Sequence, residues 1–300
     1  MKNLISMRDL STEDIDYLMQ TAARIEAGEI LPDLKRQVAA LLFFEPSTRT
    51  MFSFDTAMKR MNGQTIVMSG TQNTSAKKGE SFADTVKTIA EYSDIIIMRS
   101  PVEGAARYAS EVVDIPVVNA GDGANQHPTQ ALLDLYSIQK TQGRLHNLKI
   151  GLAGDLRFGR TVHSLAQAMA KYQAEFKFIS PKFLQIPHYI KEDLDEQKIR
   201  YSEFLEMENN IDDLDILYVT RIQRERFADP EDYERVKGSY VLNKSMLNNV
   251  KDNFKVLHPL PRVDEVSTDV DETKYAYYFP QAKNGVYTRQ ALIHILLGGK

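Results

Sequence analysis

Three hydroxyl groups and one guanidinium group stand side by side in the segment Ser47-Thr48-Arg49-Thr50. The segment follows an apolar stretch, residues 38–44, and precedes a helical pattern of apolar residues, so it is predicted to begin a helix. A helix N-terminus presents backbone N–H groups and the positive end of the helix dipole, and both attract anions. These residues therefore indicate a phosphate site, with an ordinary Ser/Thr helix cap beside a solvated arginine as the alternative.

A histidine and a glutamine lie in the polar, glycine-containing segment NAGDGANQHPTQ, which follows a predicted strand and leads into a predicted helix. Gln130 comes three residues after His127, and across the first turn of a helix this spacing directs both side chains to the same side. A histidine N–H can donate to a developing oxyanion, and an amide both donates and accepts. The spacing favours a site for a polarised carbonyl group, with a structural loop histidine as the alternative.

Arginines recur at the ends of predicted strands and after a glycine-rich loop: Arg99, Arg160 and Arg221, the last followed by Gln223. In an open α/β sheet, ligands bind outside the carboxyl ends of the strands. Taken alone, a strand-end arginine is more often part of a surface ion pair. Together these residues predict a cationic cleft suited to two anions.

Two further segments carry groups that bind small polar ligands. The sequence TSAKKGE contains Ser75 and Lys78, and a solvated turn is its alternative interpretation. The sequence HPLPR contains Leu260 and Pro261, where two prolines interrupt regular structure and leave backbone carbonyls available to an amide-bearing ligand. A rigid turn is the alternative there.

Apolar strand patterns alternate with helical patterns along the whole chain, which predicts an α/β protein with two doubly wound domains. Each is expected to be a mostly parallel sheet with helices on both faces and the active site in the cleft between the domains. The predicted domains are 1–140, 141–284, and a C-terminal helix, 285–300, that packs back on the first domain. The polar stretch 186–210 is expected to cover a surface. Strands are predicted at 38–44, 65–68, 94–99, 116–120, 148–153, 176–179, 216–220 and 255–258.

Composition excludes several classes of protein. Of the 300 residues, 37 are Lys or Arg and 41 are Asp or Glu, so the basic excess of nucleic-acid or acidic-membrane binders is missing. There is no cysteine, and the six histidines form neither H-x-H nor H-E-x-x-H, so no metal site is expected. No P-loop pattern occurs, and the glycine spacing after residue 150 does not match a dinucleotide fingerprint, so no cofactor is expected. No apolar run is long enough to span a membrane, and the first residues lack a secretory pattern, which predicts a cytoplasmic protein.

Several motifs, in this order, cover nearly the whole chain: FFEPSTRT, GDGANQHPTQ, GDLRFGRTVHSL, TRIQ and HPLPRVDE. In order and spacing they resemble the aspartate/ornithine carbamoyltransferase family, and within it the catalytic chains of aspartate carbamoyltransferases. The resemblance implies transfer of a carbamoyl group from carbamoyl phosphate to the amine of L-aspartate, giving N-carbamoyl-L-aspartate and phosphate in pyrimidine biosynthesis.

The resemblance also implies roles for individual residues. Ser47, Thr48, Arg49 and Thr50 would hold the phosphate, and Arg99 would bridge the phosphate and the carbonyl oxygen. The other carbamoyl contacts implied are His127 and Thr50 on the carbonyl oxygen, and Gln130 with the backbone carbonyls of Leu260 and Pro261 on the NH2 group.

Arg160, Arg221 and Gln223 would hold the two carboxylates of aspartate, whose amine attacks directly without a covalent enzyme intermediate. Glu45 resembles the family acid that pairs across the domains with Arg160 and Arg226.

In this family the loop with Ser75 and Lys78 enters the site of the adjacent chain, which implies a homotrimer with shared active sites. Whether a regulatory chain also binds is left open. The chain departs from the family pattern at Met51, Ser100 and Phe158, and none of these is assigned to chemistry.

The residues disfavour three other functions. Ornithine carbamoyltransferases must recognise a cationic side chain and carry a cysteine where Pro259 stands, so a dicarboxylate is favoured as second substrate. A non-catalytic binding module would be expected to lack at least one of Arg49, Arg99, His127 or Lys78, and all four are present. A nicotinamide-dependent oxidoreductase is disfavoured by the glycine spacing.

Overall fold

The structure is a computed structural model that describes residues 1–70, 79–222, 231, 233–234 and 240–299. The chain divides into two compact units, one of Met1–Leu133 with Lys283–Lys300 and one of Asp134–Ala282. No helix in the described residues is long and apolar enough to cross a membrane.

The first unit contains a four-stranded sheet in the order β2-β1-β3-β4, and every pair in it is parallel. Its elements in chain order are α1 (Thr12–Glu26), β1 (Val38–Phe43), α2 (Thr48–Arg60), β2 (Gln64–Ser69), α3 (Phe82–Ala90), β3 (Ile95–Ser100), α4 (Ala105–Val112), β4 (Val117–Asp122) and the start of α5 (Pro128–Gln142).

Local sequence signals explain where α1 begins. The Ser11 side chain accepts a hydrogen bond from the Asp14 N–H at 3.1 Å, and the Asp14 carboxylate accepts one from the Ser11 N–H at 3.2 Å. This capping box satisfies two backbone donors that the helix itself cannot pair. Ile15 and Leu18 are buried, as their helical spacing predicts.

The first sheet is buried on its inner strands. All residues of β1 after Val38 are buried, and alternate residues such as Ala40 and Leu42 pack in one cluster with Ile96, Met98 and helix residues. A parallel sheet covered by helices has this pattern of apolar residues on both faces.

The second unit contains a five-stranded parallel sheet in the order β7-β6-β5-β8-β9. Its elements are the end of α5, β5 (Lys149–Ala153), α6 (Arg160–Ala170), β6 (Glu175–Ile179), α7 (His188–Glu196), β7 (Tyr201–Phe204), β8 (Ile216–Val219), β9 (Lys255–Leu257) and the start of α8 (Tyr278–Leu296), whose later turns belong to the first unit.

The predicted fold class is confirmed: two parallel sheets with helices on both faces form a two-domain α/β protein. Two elements were not predicted, because the stretch 186–210 was expected only to cover a surface. It contains α7 and the edge strand β7, which has four residues of which none is buried. So short and polar a strand has no apolar pattern to reveal it.

Candidate active site

The segment predicted to bind phosphate begins α2. Ser47 is the N-cap residue, its side chain makes no capping hydrogen bond, and the first turn contains no acidic residue. Thr48 and Arg49 are exposed, whereas Thr50 is buried at 7% exposure. The Ser47 side chain therefore does not satisfy the backbone N–H groups of the first turn, which form the positive end of α2.

Arg99 lies next to the residues that lead into this segment. Its position on β3 pairs with Phe43 at the end of β1, and the Phe44 N–H donates to the Arg99 carbonyl at 2.8 Å. The Arg99 Nε donates to the Glu45 carboxylate at 2.7 Å, with both side chains largely buried. The resemblance assigned Glu45 to Arg160 and Arg226; that pairing stays a prediction, and Arg226 lies outside the described residues.

His127 and Gln130 stand at the start of α5, directly after the turn that follows β4. Both are buried, at 4% and 8% exposure. The His127 carbonyl accepts hydrogen bonds from the Gln130 and Ala131 N–H groups at 3.0 and 3.2 Å, and the Thr129 hydroxyl lies 3.4 Å from Nδ1 of His127. His127 therefore caps the first turn of α5 through its backbone, with its ring held inside the protein.

The sheet order explains how these residues come to one edge. β1, β3 and β4 are neighbours and run parallel, so their carboxyl ends lie side by side. The segment 47–50 follows β1, Arg99 lies near the end of β3, and His127 follows β4. In sequence these positions are far apart, and the parallel register brings them to the same side of the first unit.

Arg160 and Arg221 occupy the corresponding edge of the second unit. Arg160 is the first residue of α6, which follows β5, and Arg221 comes just after β8, the neighbour of β5. Both are half-buried. At Gly154 the backbone has φ 109° and a Cβ atom would overlap the Thr220 carbonyl, so only glycine allows the two strand exits to lie so close.

Leu260 and Pro261 follow β9 in a turn held by a buried pair of side chains. His258 Nε2 lies 2.7 Å from the Glu265 carboxylate, and Nδ1 of His258 accepts the Leu260 N–H at 2.8 Å. Burial raises the pKa of Glu265, but the hydrogen bonds from His258 and from backbone N–H groups outweigh it, and the pKa is lowered. The second carboxylate oxygen accepts the Val263 and Asp264 N–H groups. No local sequence pattern predicts this pairing of His258 with Glu265, which depends on the turn between them.

His163 is a second buried histidine for which the sequence alone predicts no role. It lies on α6, where Nε2 lies 2.8 Å from the Leu156 carbonyl and Nδ1 lies 3.2 Å from the Tyr189 hydroxyl. Burial lowers its pKa and outweighs the opposite effect of the Leu156 hydrogen bond. The neutral ring thereby ties α7 to the turn that precedes Arg160.

Three predicted site residues, Ser75, Lys78 and Gln223, lie outside the described residues. Within the residues that the structure does describe, no group of three or more His, Cys, Asp or Glu side chains is placed to hold a metal ion.

Comparison with known proteins identifies the chain's relatives. Residues 2–140 match the aspartate/ornithine carbamoyltransferase carbamoyl-P binding domain, and residues 146–296 match the Asp/Orn binding domain of the same family. The aspartate carbamoyltransferase catalytic subunit of Thermococcus onnurineus is 52% identical over 302 residues, covering 99% of this chain and 97% of that one. The catalytic subunit of Vibrio cholerae is 52% identical over 299 residues, covering 99% and 96%.

Solved structures give the same result. The catalytic subunit of M. jannaschii aspartate transcarbamoylase superimposes with a TM-score of 0.92 at 46% identity, covering 99% of this chain and 98% of that one. The Trypanosoma cruzi aspartate transcarbamoylase, in complex with carbamoyl aspartate and phosphate, has a TM-score of 0.91 at 35% identity, covering 97% and 95%.

The fold and the site residues define a two-domain α/β protein with hydroxyl and guanidinium groups at strand ends. Within that class, the chain belongs to the aspartate/ornithine carbamoyltransferase family.

Proposed function

We propose that the protein transfers the carbamoyl group of carbamoyl phosphate to the amino group of L-aspartate, giving N-carbamoyl-L-aspartate and phosphate for pyrimidine biosynthesis. One observation carries the proposal. The parallel register of β1, β3 and β4 brings three features to the carboxyl ends of the strands in the first sheet. They are the hydroxyl and guanidinium groups of residues 47–50, Arg99 and His127. Relatives of this chain named aspartate carbamoyltransferase catalytic subunit support the same reaction.

On the first unit, Ser47, Thr48, Arg49 and Thr50 are the proposed phosphate ligands. The α2 N-terminus adds backbone donors and a favourable dipole for a bound dianion. Arg99 is proposed to serve the phosphate and the carbonyl oxygen together, because a guanidinium carries five N–H donors in a planar fork.

His127 is the proposed donor to the carbonyl oxygen, supported by Thr50. As the amine attacks, negative charge develops on that oxygen, and donors fixed before the reaction stabilise it without reorganisation. Gln130 and the backbone carbonyls of Leu260 and Pro261 are the proposed partners of the carbamoyl NH2 group.

The chemical step exchanges two bonds at the carbamoyl carbon. The neutral amine of aspartate forms the new C–N bond, the C–O bond to phosphate breaks, and phosphate leaves with the bonding electron pair. The attacking nitrogen loses one proton, and the leaving phosphate, which gains negative charge as the C–O bond breaks, accepts it. No group on the protein is attacked, so no covalent enzyme intermediate forms and no cofactor is required.

Arg160, Arg221 and Gln223 are the proposed ligands of the two aspartate carboxylates. Guanidinium groups bind carboxylates with paired hydrogen bonds. The same two arginines would repel the ammonium group on the side chain of L-ornithine, the substrate of the other branch of the family, and Pro259 occupies the position of that branch's cysteine.

The protein is proposed to act as a homotrimer in which Ser75 and Lys78 of one chain complete the site of the next. The surface of the first unit supports an assembly. β2 is an edge strand whose apolar residues Ile66 and Val67 are 37% and 52% exposed, and Phe52 on α2 is 58% exposed. Exposed apolar residues along a sheet edge are typical of interfaces. A regulatory chain and a cytoplasmic location stay predictions.

The test is formation of product from carbamoyl phosphate with L-aspartate or with L-ornithine, following both phosphate release and the ureido product. We expect turnover with L-aspartate only. Turnover with L-ornithine alone would assign the protein to the other branch, and no turnover with either amine would refute carbamoyl transfer.

A further inference from the structure

A buried carboxylate outside the proposed substrate contacts accepts four hydrogen bonds. Asp122, the last residue of β4, is 2% exposed. Its Oδ1 accepts from the Asn119 side chain at 2.9 Å and from the Gln126 N–H at 3.1 Å, and its Oδ2 accepts from the Gly104 N–H at 2.9 Å and from the Asn125 side chain at 3.0 Å. Every one of these partners is an uncharged N–H group.

The four donors come from two segments: Asn119, Asn125 and Gln126 lie with Asp122 in β4 and the turn after it, and Gly104 lies in the segment that follows β3. Gly104 lies four residues after Ser100, the end of the strand that holds Arg99. Asn125 and Gln126 form the turn immediately before His127. The Gly123 N–H also donates to the Ser100 carbonyl at 2.9 Å, so a backbone hydrogen bond joins the turn after β4 to the end of β3 as well.

We propose that Asp122 is a positioning residue for His127: its carboxylate holds the turn 122–126 against the segment that follows Arg99, and so fixes the ring that polarises the carbamoyl carbonyl. This inference rests on the proposed function. An ionised carboxylate suits the position because it only accepts, and all four neighbours donate.

The Asp122→Asn variant tests this geometry with almost no change in shape. Its NH2 group would face at least one N–H donor, so the turn loses contacts and His127 is displaced. A displacement of about 1 Å at a catalytic group costs on the order of 10- to 100-fold in rate, and we expect kcat per folded subunit to fall by that factor. The dissociation constant for inorganic phosphate is expected to change much less, because the proposed phosphate ligands 47–50 lie at the start of α2 and none of them is among the four partners of Asp122.

A double-mutant cycle with His127→Ala distinguishes an effect that acts through His127 from a general disturbance of the native structure. If Asp122 acts through His127, the Asp122→Asn change has no further effect on kcat once the imidazole is absent. An equal loss of kcat in both backgrounds, or a wild-type kcat in the single variant, would overturn the proposal. Absence of product in the wild-type arm would refute the proposed function itself, and the inference with it.

Asp215→Asn is the matched control. Asp215 is also buried, at 4% exposure, and its carboxylate accepts hydrogen bonds from the Lys149 N–H, the Lys251 ammonium and the Asn253 amide. It lies just before β8, at the amino ends of the strands, and therefore away from the carboxyl ends where the site residues lie. We expect it to lower the melting temperature and leave kcat unchanged.

Asn125→Ala keeps the test decisive if Asp122→Asn does not fold. Asn125 is exposed and its side chain supplies only one of the four donors, so the fold tolerates its loss. We expect a kcat lowered by a factor of about two to twelve, the range that corresponds to the loss of one hydrogen bond of about 0.5 to 1.5 kcal/mol. That decrease should vanish in the His127→Ala background, and its persistence there, or its absence from the single variant, would overturn the proposal.

Discussion

The Arg99 guanidinium donates from Nε to the Glu45 carboxylate at 2.7 Å, within a single unit of the protein. The side chains are 15% and 21% exposed, so the pair is partly desolvated and the carboxylate restricts the orientation of the guanidinium plane. Glu45 lies two residues before Ser47, and the contact therefore links the proposed phosphate segment to the arginine that is proposed to bridge phosphate and carbonyl.

Glu45→Gln keeps the shape of this partner and removes its charge. We expect kcat to fall about tenfold, because Arg99 loses the charge-assisted hydrogen bond that orients it toward the substrate. Steady-state kinetics at saturating L-aspartate will measure the change. Asp9→Asn is the control: its pair with Arg107 is about half exposed on both sides and makes little contribution to the site. Equal kinetics for the two variants would contradict the role given to Glu45.

Arg49→Ala removes a cation from the start of α2. We expect turnover to fall on the order of a hundredfold or more, since one charge-assisted contact made in the transition state is worth about 2.7 to 4 kcal/mol in comparable sites. Arg60→Ala makes the same change of charge at the other end of α2, where Arg60 is exposed, and should leave turnover near the wild-type value. Near-normal kinetics in purified Arg49→Ala would remove Arg49 from the site.

Mixing two inactive variants tests whether sites are shared between chains. If Lys78 of one chain completes the site of its neighbour, subunits carrying Lys78→Ala and subunits carrying Arg49→Ala will form some hybrid sites with both residues intact. Activity should return when the two proteins are dissociated and reassembled together. Two Arg49→Ala preparations treated in the same way give the background. Trimers that reassemble correctly and stay inactive would argue against a shared site.

His163 makes stability depend on pH. Burial lowers its pKa below the usual 6.5, while in the unfolded chain the ring titrates near that value. The unfolded state thus binds more protons as pH falls below 6.5, so the stability that the neutral ring contributes is present above that pH and decreases below it, by at most about 1.4 kcal/mol per pH unit.

We therefore expect the melting temperature of His163→Gln to change less between pH 7 and pH 5 than that of the wild type. His146→Gln, at an exposed histidine, is the comparison. Identical pH slopes for His163→Gln and the wild type would show that His163 does not cause the dependence.

The sequence by itself determined the class of fold and the types of group at the site. Apolar runs such as residues 38–44, alternating with helical patterns, indicated inner strands of a covered sheet, and Ser11 with Asp14 marks the start of α1 through local hydrogen bonds. The order of the motifs along the chain was enough to indicate the family to which the protein belongs. Such signals are readable because they depend on neighbours close in the chain.

Only the tertiary structure decided which distant residues act together. That Glu45 contacts Arg99 depends on the register of β1 against β3, and that His258 contacts Glu265 depends on the turn after β9. Asp122 has four donors because β4 ends beside the start of α4 and its own following turn. A carboxylate looks the same in the sequence whether it is solvated or buried among N–H groups, because its environment is set by strand pairing that no local pattern encodes.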